Sequence, residues 1–465
     1  MSALTAKPMK QRELWGHPMG LYILFFTEMW ERFSYYGMRA ILVLYLVAET
    51  SGDNVGLGWS NGEALALYGW YTMLVYVASI PGGWIADKFL GQKKSVLIGG
   101  ILLVAGHSIL SIEHMWAFYS GLGLIIAGVG MLKPNISTMV GGLYRPGDIR
   151  RDKGFTIFYI GINVGAFLAG IIVGYVGEVY GWHYGFGLAA IGMALGLIQY
   201  MAGQKYLKYV GNNTSTSENE EERAAMNRPL TKVENDRLIV LLISFFLVIV
   251  FWGAFEQAGG LMNLYTSEKT NRMLMDWEVP ASWFQSLNSL FIIILGTTVA
   301  AFWARRKLKG KVSTSLFKMC LGLIIMGMGF FFMTGATAQF NSEGSSAMYW
   351  LVLAYLFHTV GELCLSPVAL SYITKLAPLK YASLMMGVYF AMTGFGNKLA
   401  GLLGESASSL GEYTVFTGIA IFCIVFGLLV LLVRKKLETL THGAEDNERE
   451  IMEQENYELA NPDIN

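Results

Sequence analysis

Charged and hydroxyl side chains stand at helical spacing inside the first strongly apolar stretch of this chain. Glu28, Glu31 and Arg32 follow the pattern i, i+3, i+4, and Tyr35 and Arg39 continue the same face of a helix. Ionisable groups near the centre of a membrane helix cost about 2.5–3.5 kcal/mol each, so they avoid lipid. The stripe is therefore expected to line a wet cavity and to hold protons, ions or a charged substrate.

Further polar residues interrupt later apolar stretches of the first half. Lys133, in GVGMLKPN, needs a partner at that depth, and Glu28 and Glu31 are the candidates. A purely structural ion pair is the alternative. Pro134 should weaken the helix beside this lysine and open a bend. Asn163, in FYIGIN, indicates either a substrate contact or an interhelical hydrogen bond.

The second half of the chain contributes carboxylates. Glu256 lies in FWGAFEQAGG, and Glu362 lies five residues before Pro367. Either one could bind a positive amine or carry a proton. A zwitterion between the halves would place its carboxylate on basic side chains and its amine on these acids. The remaining contributors to such a site are basic (Arg32, Arg39 and Lys133), hydroxyl-bearing (Tyr35, Tyr36 and Tyr76) or amides that suit a peptide bond (Asn163 and Asn288).

Three other features leave their roles open. His358 is four residues before Glu362 and shares its helical face, but this pair alone is a weak metal signal, and a core histidine is favoured. Lys398 lies near the end of a span. It either has a functional role or simply extends its ammonium group to the membrane–water interface. Asp87 and Gly91, in GGWIADKFLGQKK, suit a gate latch, and a solvated turn is the alternative.

Composition indicates an all-α, polytopic membrane protein. The 465 residues are 54% hydrophobic and only 15% charged, against about 25% charged in soluble domains. Zero formal net charge gives no reason to expect a nucleic-acid partner. The three cysteines lie in apolar segments without metal or disulfide spacing. Because no nucleophile motif or metal-binding cluster is visible, we expect no enzyme activity, no metal and no cofactor other than protons as the coupling ion.

Twelve stretches are long enough to span a bilayer. Basic loops alternate with loops that carry almost no Lys or Arg, so both termini are expected in the cytoplasm. The sequence around Pro134 resembles that around Pro367, which indicates two related halves. The predicted spans are 20–48, 62–85, 94–112, 115–143, 155–178, 183–207, 238–263, 283–304, 314–338, 347–376, 382–405 and 413–434. The predicted domains are a six-helix half (1–208), a polar cytoplasmic linker (209–237), a second six-helix half (238–436) and a cytoplasmic tail (437–465).

Over residues 17–436 the chain resembles the proton-dependent oligopeptide transporter family of the major facilitator superfamily. The motifs are ExxER at 28–32, YYG at 35–37, GGWIAD at 82–87, LKPN at 132–135, FYIGIN at 158–163, FEQAG at 255–259 and GELCLSP at 361–367. The resemblance implies that Glu28, Glu31 and Arg32 couple protons to transport, with Lys133 as their partner and Glu256 as a further proton site. It also implies that Arg39 and Lys133 bind the peptide carboxylate, that Glu362 binds the amino terminus, and that Tyr35, Tyr36, Tyr76, Asn163, Glu256 and Asn288 complete the cavity.

Three departures from the family pattern refine these expectations. Tyr389 stands where many members have tryptophan, which alters the expected pocket shape. The linker is too short for the helix pair that many bacterial members insert, so we predict a major facilitator fold of twelve helices. Span 62–85 has no histidine, and the loop between the ninth and tenth spans is short, as expected for a bacterial member whose carboxylates handle the proton.

The sequence thus predicts a proton-coupled symporter that imports di- and tripeptides by alternating access. A non-peptide cargo and a membrane receptor that binds peptides without moving them are the rival hypotheses. The expected partners are peptide, protons and the lipid bilayer, with the monomer as the functional unit. The expected location is the bacterial inner membrane, as a multi-pass protein.

Overall fold

The computed structural model describes residues 12–144, 148, 150–211, 229–378 and 381–445, and most of them are helical. The first half contains a hairpin of β1 (Glu13–Leu14) and β2 (His17–Pro18), then α1 (Met19–Val47), α2 (Asn61–Val77), α3 (Ser79–Ile85), α4 (Gln92–Leu110), α5 (Met115–Gly142), α6 (Arg150–Leu168), α7 (Tyr175–Tyr180) and α8 (Trp182–Ala202). The second half contains α9 (Lys232–Phe255), α10 (Leu261–Lys269), three two-residue strands β3 (Thr270–Asn271), β4 (Met273–Leu274) and β5 (Trp277–Glu278), α11 (Trp283–Leu308), α12 (Ser315–Glu343), β6 (Ser346–Ala347), α13 (Met348–Leu376), α14 (Ala382–Leu410) and α15 (Glu412–Thr439).

Ten helical segments of the described chain are long and apolar enough to cross a membrane. They are 61–90, 92–110, 115–142, 153–180, 182–202, 232–269, 283–308, 315–343, 348–373 and 412–439. Two further helices, α1 and α14, have 29 residues each, and α1 carries four ionisable side chains. The chain is therefore a mostly helical, multi-pass membrane protein.

The helix that carries Glu256 is interrupted at that residue. α9 ends at Phe255, and Glu256–Ala258 form a single turn of 3₁₀ helix before α10. Gly260 then has φ −107° and ψ −109°, which is not helical. The sequence predicted one continuous span over 238–263, because the apolar run does not stop there. Two adjacent glycines permit the break, since neither has a Cβ to restrict the backbone.

The same helix starts earlier than the hydrophobic pattern indicates. α9 begins at Lys232, whereas the predicted span begins at 238. Thr231 and Glu234 form a capping box, in which each side chain binds the backbone N–H of the other residue. The cap adds a polar helical extension before the apolar run. Most of the predicted linker, residues 212–228, lies outside the described residues.

Backbone packing divides the chain into two compact units. Of the described residues, the first unit comprises 12–38, 78–144, 148, 150–169 and 183–211, and the second comprises 39–77, 170–182, 229–378 and 381–445. In the first unit α4 packs on α5, and a Cβ built on Gly99 would lie 2.7 Å from the carbonyl oxygen of Gly128. In the second unit α12 packs on α13 and α15, α14 on α2 and α9, and α11 on α13. Close approach through small residues is typical of membrane helices.

A clasp in the first unit joins the amino-terminal hairpin to the segment between α5 and α6. Arg150 donates to Glu13 at 3.0 Å and forms a two-point contact with Asp148 at 3.1 and 2.9 Å. These hydrogen bonds hold the pKa of the Asp148 carboxyl below its usual range, so the pair stays ionised at neutral pH. His17 Nδ1 lies 2.8 Å from the Tyr144 hydroxyl. Burial raises the pKa of Tyr144 to about 12, which keeps that hydroxyl protonated.

The chain after α15 folds back onto the start of α12. The carboxylate of Glu445 accepts hydrogen bonds from the backbone N–H and the hydroxyl of Ser315, and its Oε1 lies 3.7 Å from Lys375 Nζ. His442 Nε2 lies 2.8 Å from the Asp236 carboxylate. The predicted tail therefore begins as an ordered cap on the second unit, and its residues 446–465 lie outside the described ones.

The cysteines belong to the helical core. Cys320, Cys364 and Cys423 are all buried and form no disulfide. Among the described residues, no group of His, Cys, Asp and Glu side chains is arranged to hold a metal ion.

Candidate functional site

A buried ion cluster occupies the middle of α1 in the first unit. Arg32 Nε lies 2.8 Å from an oxygen of Glu28 and 2.8 Å from an oxygen of Glu31, so two carboxylates share one guanidinium. Glu31 is completely buried, so its ion pair with Arg32 is shielded from water. The guanidinium also lies 5.9 Å from the centre of the Tyr36 ring. The helical spacing seen in the sequence thus produces one compact cluster.

Lys133 of α5 adds a second cation to this cluster. It lies near enough to Glu31 for an electrostatic interaction. α5 runs through Pro134 without interruption, although proline removes the hydrogen bond to the carbonyl of Gly130. That carbonyl lies against α3, since a Cβ built on Gly82 would be 2.0 Å from its oxygen. A close helix contact therefore covers the carbonyl that Pro134 leaves without its usual donor.

A second buried ion pair forms in the second unit. Arg39 Nη1 donates to both oxygens of Glu256 at 3.1 Å, and the hydroxyl of Tyr68 donates to one of them at 2.9 Å. Both charged residues are less than a tenth exposed. Gly259 makes room for Tyr68, because a Cβ there would lie 2.1 Å from the tyrosine oxygen. The break after α9 thus brings Glu256 to partners on α1 and α2.

Glu362 has its own polar surroundings in the second unit. Asn288 Nδ2 donates to a Glu362 oxygen at 2.8 Å and also lies 3.1 Å from the Thr359 hydroxyl. Glu256 and the buried Tyr389 are close enough to Glu362 to interact with it electrostatically. The two carboxylates predicted for an amine or a proton therefore belong to one neighbourhood, together with Arg39.

The remaining predicted pocket residues, three tyrosines and an asparagine, contact different parts of the protein. The buried Tyr35 packs edge to face against Tyr36, with ring centres 5.4 Å apart. Tyr76 of α2 is half-buried and lies beside Gly394 of α14. Asn163 is buried, and its amide donates to the backbone of its own helix at 2.9 Å. This hydrogen bond lies within the helix, and a substrate contact of the amide stays a prediction.

The predicted gate residues lie at a helix irregularity in the first unit. Asp87 is exposed and forms no ion pair with any residue that the structure describes. It lies in a π-helical turn, Ala86–Leu90, and Gly91 follows with φ 75°. That backbone conformation strongly favours glycine. The predicted turn is therefore present in the structure. The role of Asp87 in a gate latch stays a prediction.

The two residues left undecided by the sequence each contact an aromatic ring. His358 is buried and lies 4.4 Å from the ring centre of Phe330, consistent with a core position. The Lys398 ammonium lies 4.4 Å from the ring centre of Trp70, which links α14 to α2 through a cation–π contact.

Sequence reasoning missed two residues that organise the second unit. Tyr68 shares a helical face with the predicted Tyr76, eight residues on, and that spacing could have identified it. Glu178, at the end of the α6–α7 segment, accepts hydrogen bonds at 2.8 Å from the backbone N–H groups of Ala281 and Ser282, just before α11. Nothing in its local sequence indicates this partner, because the contact spans about a hundred residues.

Comparisons with known proteins agree on one family. The model of the POT family matches residues 93–226 and 216–415. A di-/tripeptide transporter of Lactococcus lactis subsp. cremoris is 35% identical, over 92% of this chain and 97% of that protein. A solved mutant of a peptide transporter POT in complex with alafosfalin is 37% identical, with a TM-score of 0.85 over 92% of this chain and 97% of the other. A POT family transporter in complex with 5-aminolevulinic acid is 30% identical, with a TM-score of 0.83 over 92% and 98%.

Proposed function

Because this chain belongs to the POT family and is a peptide transporter, we propose that it is a proton-coupled symporter that imports di- and tripeptides by alternating access. Its family and relatives are transporters, so it is not an enzyme. The buried charge cluster of α1, formed by Glu28, Glu31 and Arg32, is the observation that supports the proton coupling.

Charge balance in the α1 cluster links a proton to a peptide. With Glu28 and Glu31 ionised, Arg32 and Lys133 cancel their charge. A proton on Glu28 or Glu31 leaves the buried cluster with one excess positive charge. The carboxylate of a bound peptide would neutralise this charge. Binding of the proton therefore strengthens binding of the peptide, and the peptide strengthens binding of the proton to the same degree.

The second unit offers a matching arrangement for the two peptide termini. A proton on Glu256 would release Arg39 from its two-point contact and let it bind the peptide carboxylate. Glu362, held by Asn288, would accept the peptide ammonium. Tyr35, Tyr36, Tyr76, Asn163 and Tyr389 are proposed to complete the walls of the pocket, and Asp87 and Gly91 to act at a gate.

The proton gradient is strong enough for uphill import. One proton that crosses a potential of about 100 mV releases about 2.3 kcal/mol. A difference of one pH unit adds about 1.4 kcal/mol. Together these would support a peptide accumulation of about a few hundredfold.

We also propose the membrane arrangement. The ten apolar spans together with α1 and α14 give twelve helices, in two halves of six with no inserted pair between them. The basic loops favour a cytoplasmic position for both termini in a bacterial inner membrane. The proposed partners are peptide, protons and lipid, and the proposed functional unit is the monomer.

A non-peptide cargo is the second candidate function. One relative is described in complex with 5-aminolevulinic acid, a molecule that carries an amine and a carboxylate but no peptide bond. The charged groups proposed for the peptide termini would suit such a molecule as well.

Uptake into proteoliposomes tests the proposal. Labelled dialanine would be supplied with an inward proton gradient, with the gradient collapsed by an uncoupler, and in competition with 5-aminolevulinic acid. We expect accumulation that needs the gradient and is lost in Glu31→Gln, while the exposed Glu49→Gln retains it. Binding of dialanine without accumulation would favour a receptor, and accumulation of 5-aminolevulinic acid alone would favour the other cargo.

A further inference from the structure

A basic cavity lies at the carboxyl end of α11, and none of its lining residues is assigned to transport. It has a volume of about 670 Å³. Its polar and apolar wall is formed by Thr297, Thr298, Ala301 and Phe302, and its cations are Arg305, Arg306, Lys309 and Lys311. In the proposed orientation it opens at the cytoplasmic surface of the membrane.

The cations of this cavity have no anionic partner in the part of the chain that the structure describes. Among the described residues, no carboxylate forms an ion pair with any of the four, and none lines the cavity. Other cations on the same side do have such partners: Arg434 lies 3.5 Å from Glu438, and Lys375 lies 3.7 Å from Glu445. Four positive charges that no described carboxylate compensates repel each other around one cavity, and a bound anion would relieve that repulsion.

Backbone hydrogen bonds fix the positions of two of these cations, Arg306 and Lys311. Arg306 Nε donates to the carbonyl of Val312 at 2.8 Å, and its guanidinium lies 5.5 Å from the ring centre of Phe317. Gly310 has φ 65°, and this turn directs the backbone N–H of Lys311 to the carbonyl of Arg306 at 3.1 Å. The turn therefore returns Lys311 to the cavity after the helix has ended.

The exposed face of α11 changes from apolar to basic toward this end. Ile294, Thr298, Phe302, Arg305 and Lys309 follow helical spacing, and all five are exposed. Ile294 is 56% exposed and Phe302 54% exposed, so the apolar part suits the hydrocarbon of a bilayer. The basic part then reaches the depth of the phosphate groups, where each Lys or Arg is attracted to anionic lipid.

Because the cations of the cavity lie next to the exposed apolar face of α11, we propose that the cavity binds the phosphate headgroup of an anionic phospholipid from the cytoplasmic leaflet. Arg305, Lys309 and Lys311 donate to the phosphate oxygens, Arg306 fixes the position of the charge, and an acyl chain lies along Phe302 and Ile294. The site rests on the proposed orientation, but it does not depend on which cargo is carried or on proton coupling.

Native mass spectrometry of the full-length protein tests the site. The protein would be equilibrated with mixed micelles of phosphatidylethanolamine and phosphatidylglycerol, and the retained lipids counted. The test variant is Arg305→Gln/Lys309→Gln/Lys311→Gln. The control Lys94→Gln/Lys435→Gln/Lys436→Gln removes the same charge from three exposed cytoplasmic residues that line no such cavity. All six substituted side chains are exposed, so the substitutions should not prevent folding. Melting curves check that all three proteins are folded.

We expect the wild type and the control to retain one phosphatidylglycerol more than the test variant. The test variant should bind that lipid about a hundredfold more weakly, since each surface cation contributes about fivefold. Equal retention in all three proteins would overturn the proposal. Inorganic phosphate is the second arm: if it saturates the cavity of the wild type and phosphatidylglycerol does not compete, the occupant is a soluble anion, and the lipid assignment is wrong.

Discussion

Single side chains decide how this protein would distinguish the two ends of a peptide. Glu362 has one amide donor, Asn288, at 2.8 Å, and no cation at ion-pair distance among the described residues. Glu256, in contrast, has both of its oxygens bound to Arg39. The carboxylate without a cationic partner is the better candidate to accept a substrate ammonium, because a bound amine would complete its charge balance.

Loss of the Glu362 charge should therefore affect only substrates with a free amine. We expect Glu362→Gln to weaken binding of dialanine by about tenfold or more, the value of one charge-assisted hydrogen bond. Binding of N-acetyl-dialanine should be unchanged. Competition against uptake of a labelled dipeptide measures both, and the exposed Glu405→Gln is the matched control. An equal loss for the two peptides would remove Glu362 from amine recognition.

A single added methyl group should disturb the Arg39–Glu256 pair. In Gly259→Ala the new Cβ would lie 2.1 Å from the Tyr68 oxygen and displace its hydrogen bond to Glu256. We expect gradient-driven uptake to fall by about tenfold, because a buried carboxylate loses one of its donors. Gly387→Ala is the control, since nothing lies within 4 Å of a Cβ at that position. If both variants transport equally well, Tyr68 does not support the pair.

At the scale of helices, one contact connects the end of α7 to the start of α11. The Glu178 carboxylate accepts the backbone N–H groups of Ala281 and Ser282, and Asn54 donates to the carbonyls of Gly177 and Glu178. Carboxylates favour the amino end of a helix, where backbone donors have no partner within the helix. In the proposed orientation this contact lies on the side opposite the cytoplasm and would hold that side closed.

Removal of this carboxylate should loosen the helices that it joins. We expect Glu178→Ala to lower the free energy of unfolding by about 1–3 kcal/mol, since two buried backbone donors lose their acceptor. The apparent melting temperature of the purified protein measures this change. Glu278→Ala is a suitable comparison, because the Glu278 side chain, which pairs with Arg272, is 61% exposed and should contribute little. A smaller effect at Glu178 than at Glu278 would contradict the view that Glu178 joins these two helices.

For the whole molecule, the sequence predicted the helices better than it predicted their partners. Apolar runs located every long helix, because hydrophobicity over about 20 residues is a local property. The α1 cluster was also predictable, since Glu28, Glu31 and Arg32 are neighbours on one turn. The pair of Arg39 with Glu256 was not, as 217 residues separate them and many pairings satisfy the same charges. The break at Gly260 was missed because hydropathy continues across it.

The buried cysteines make this transporter ready for site-specific labelling. A thiol reagent that acts from water would find Cys320, Cys364 and Cys423 enclosed by packed helices. A single cysteine at an exposed position such as Asp53 or Lys436 would then carry a spin or fluorescent label without prior removal of the natural thiols. Distances between two such labels could follow the motion of the helices during a transport cycle in the otherwise unaltered chain.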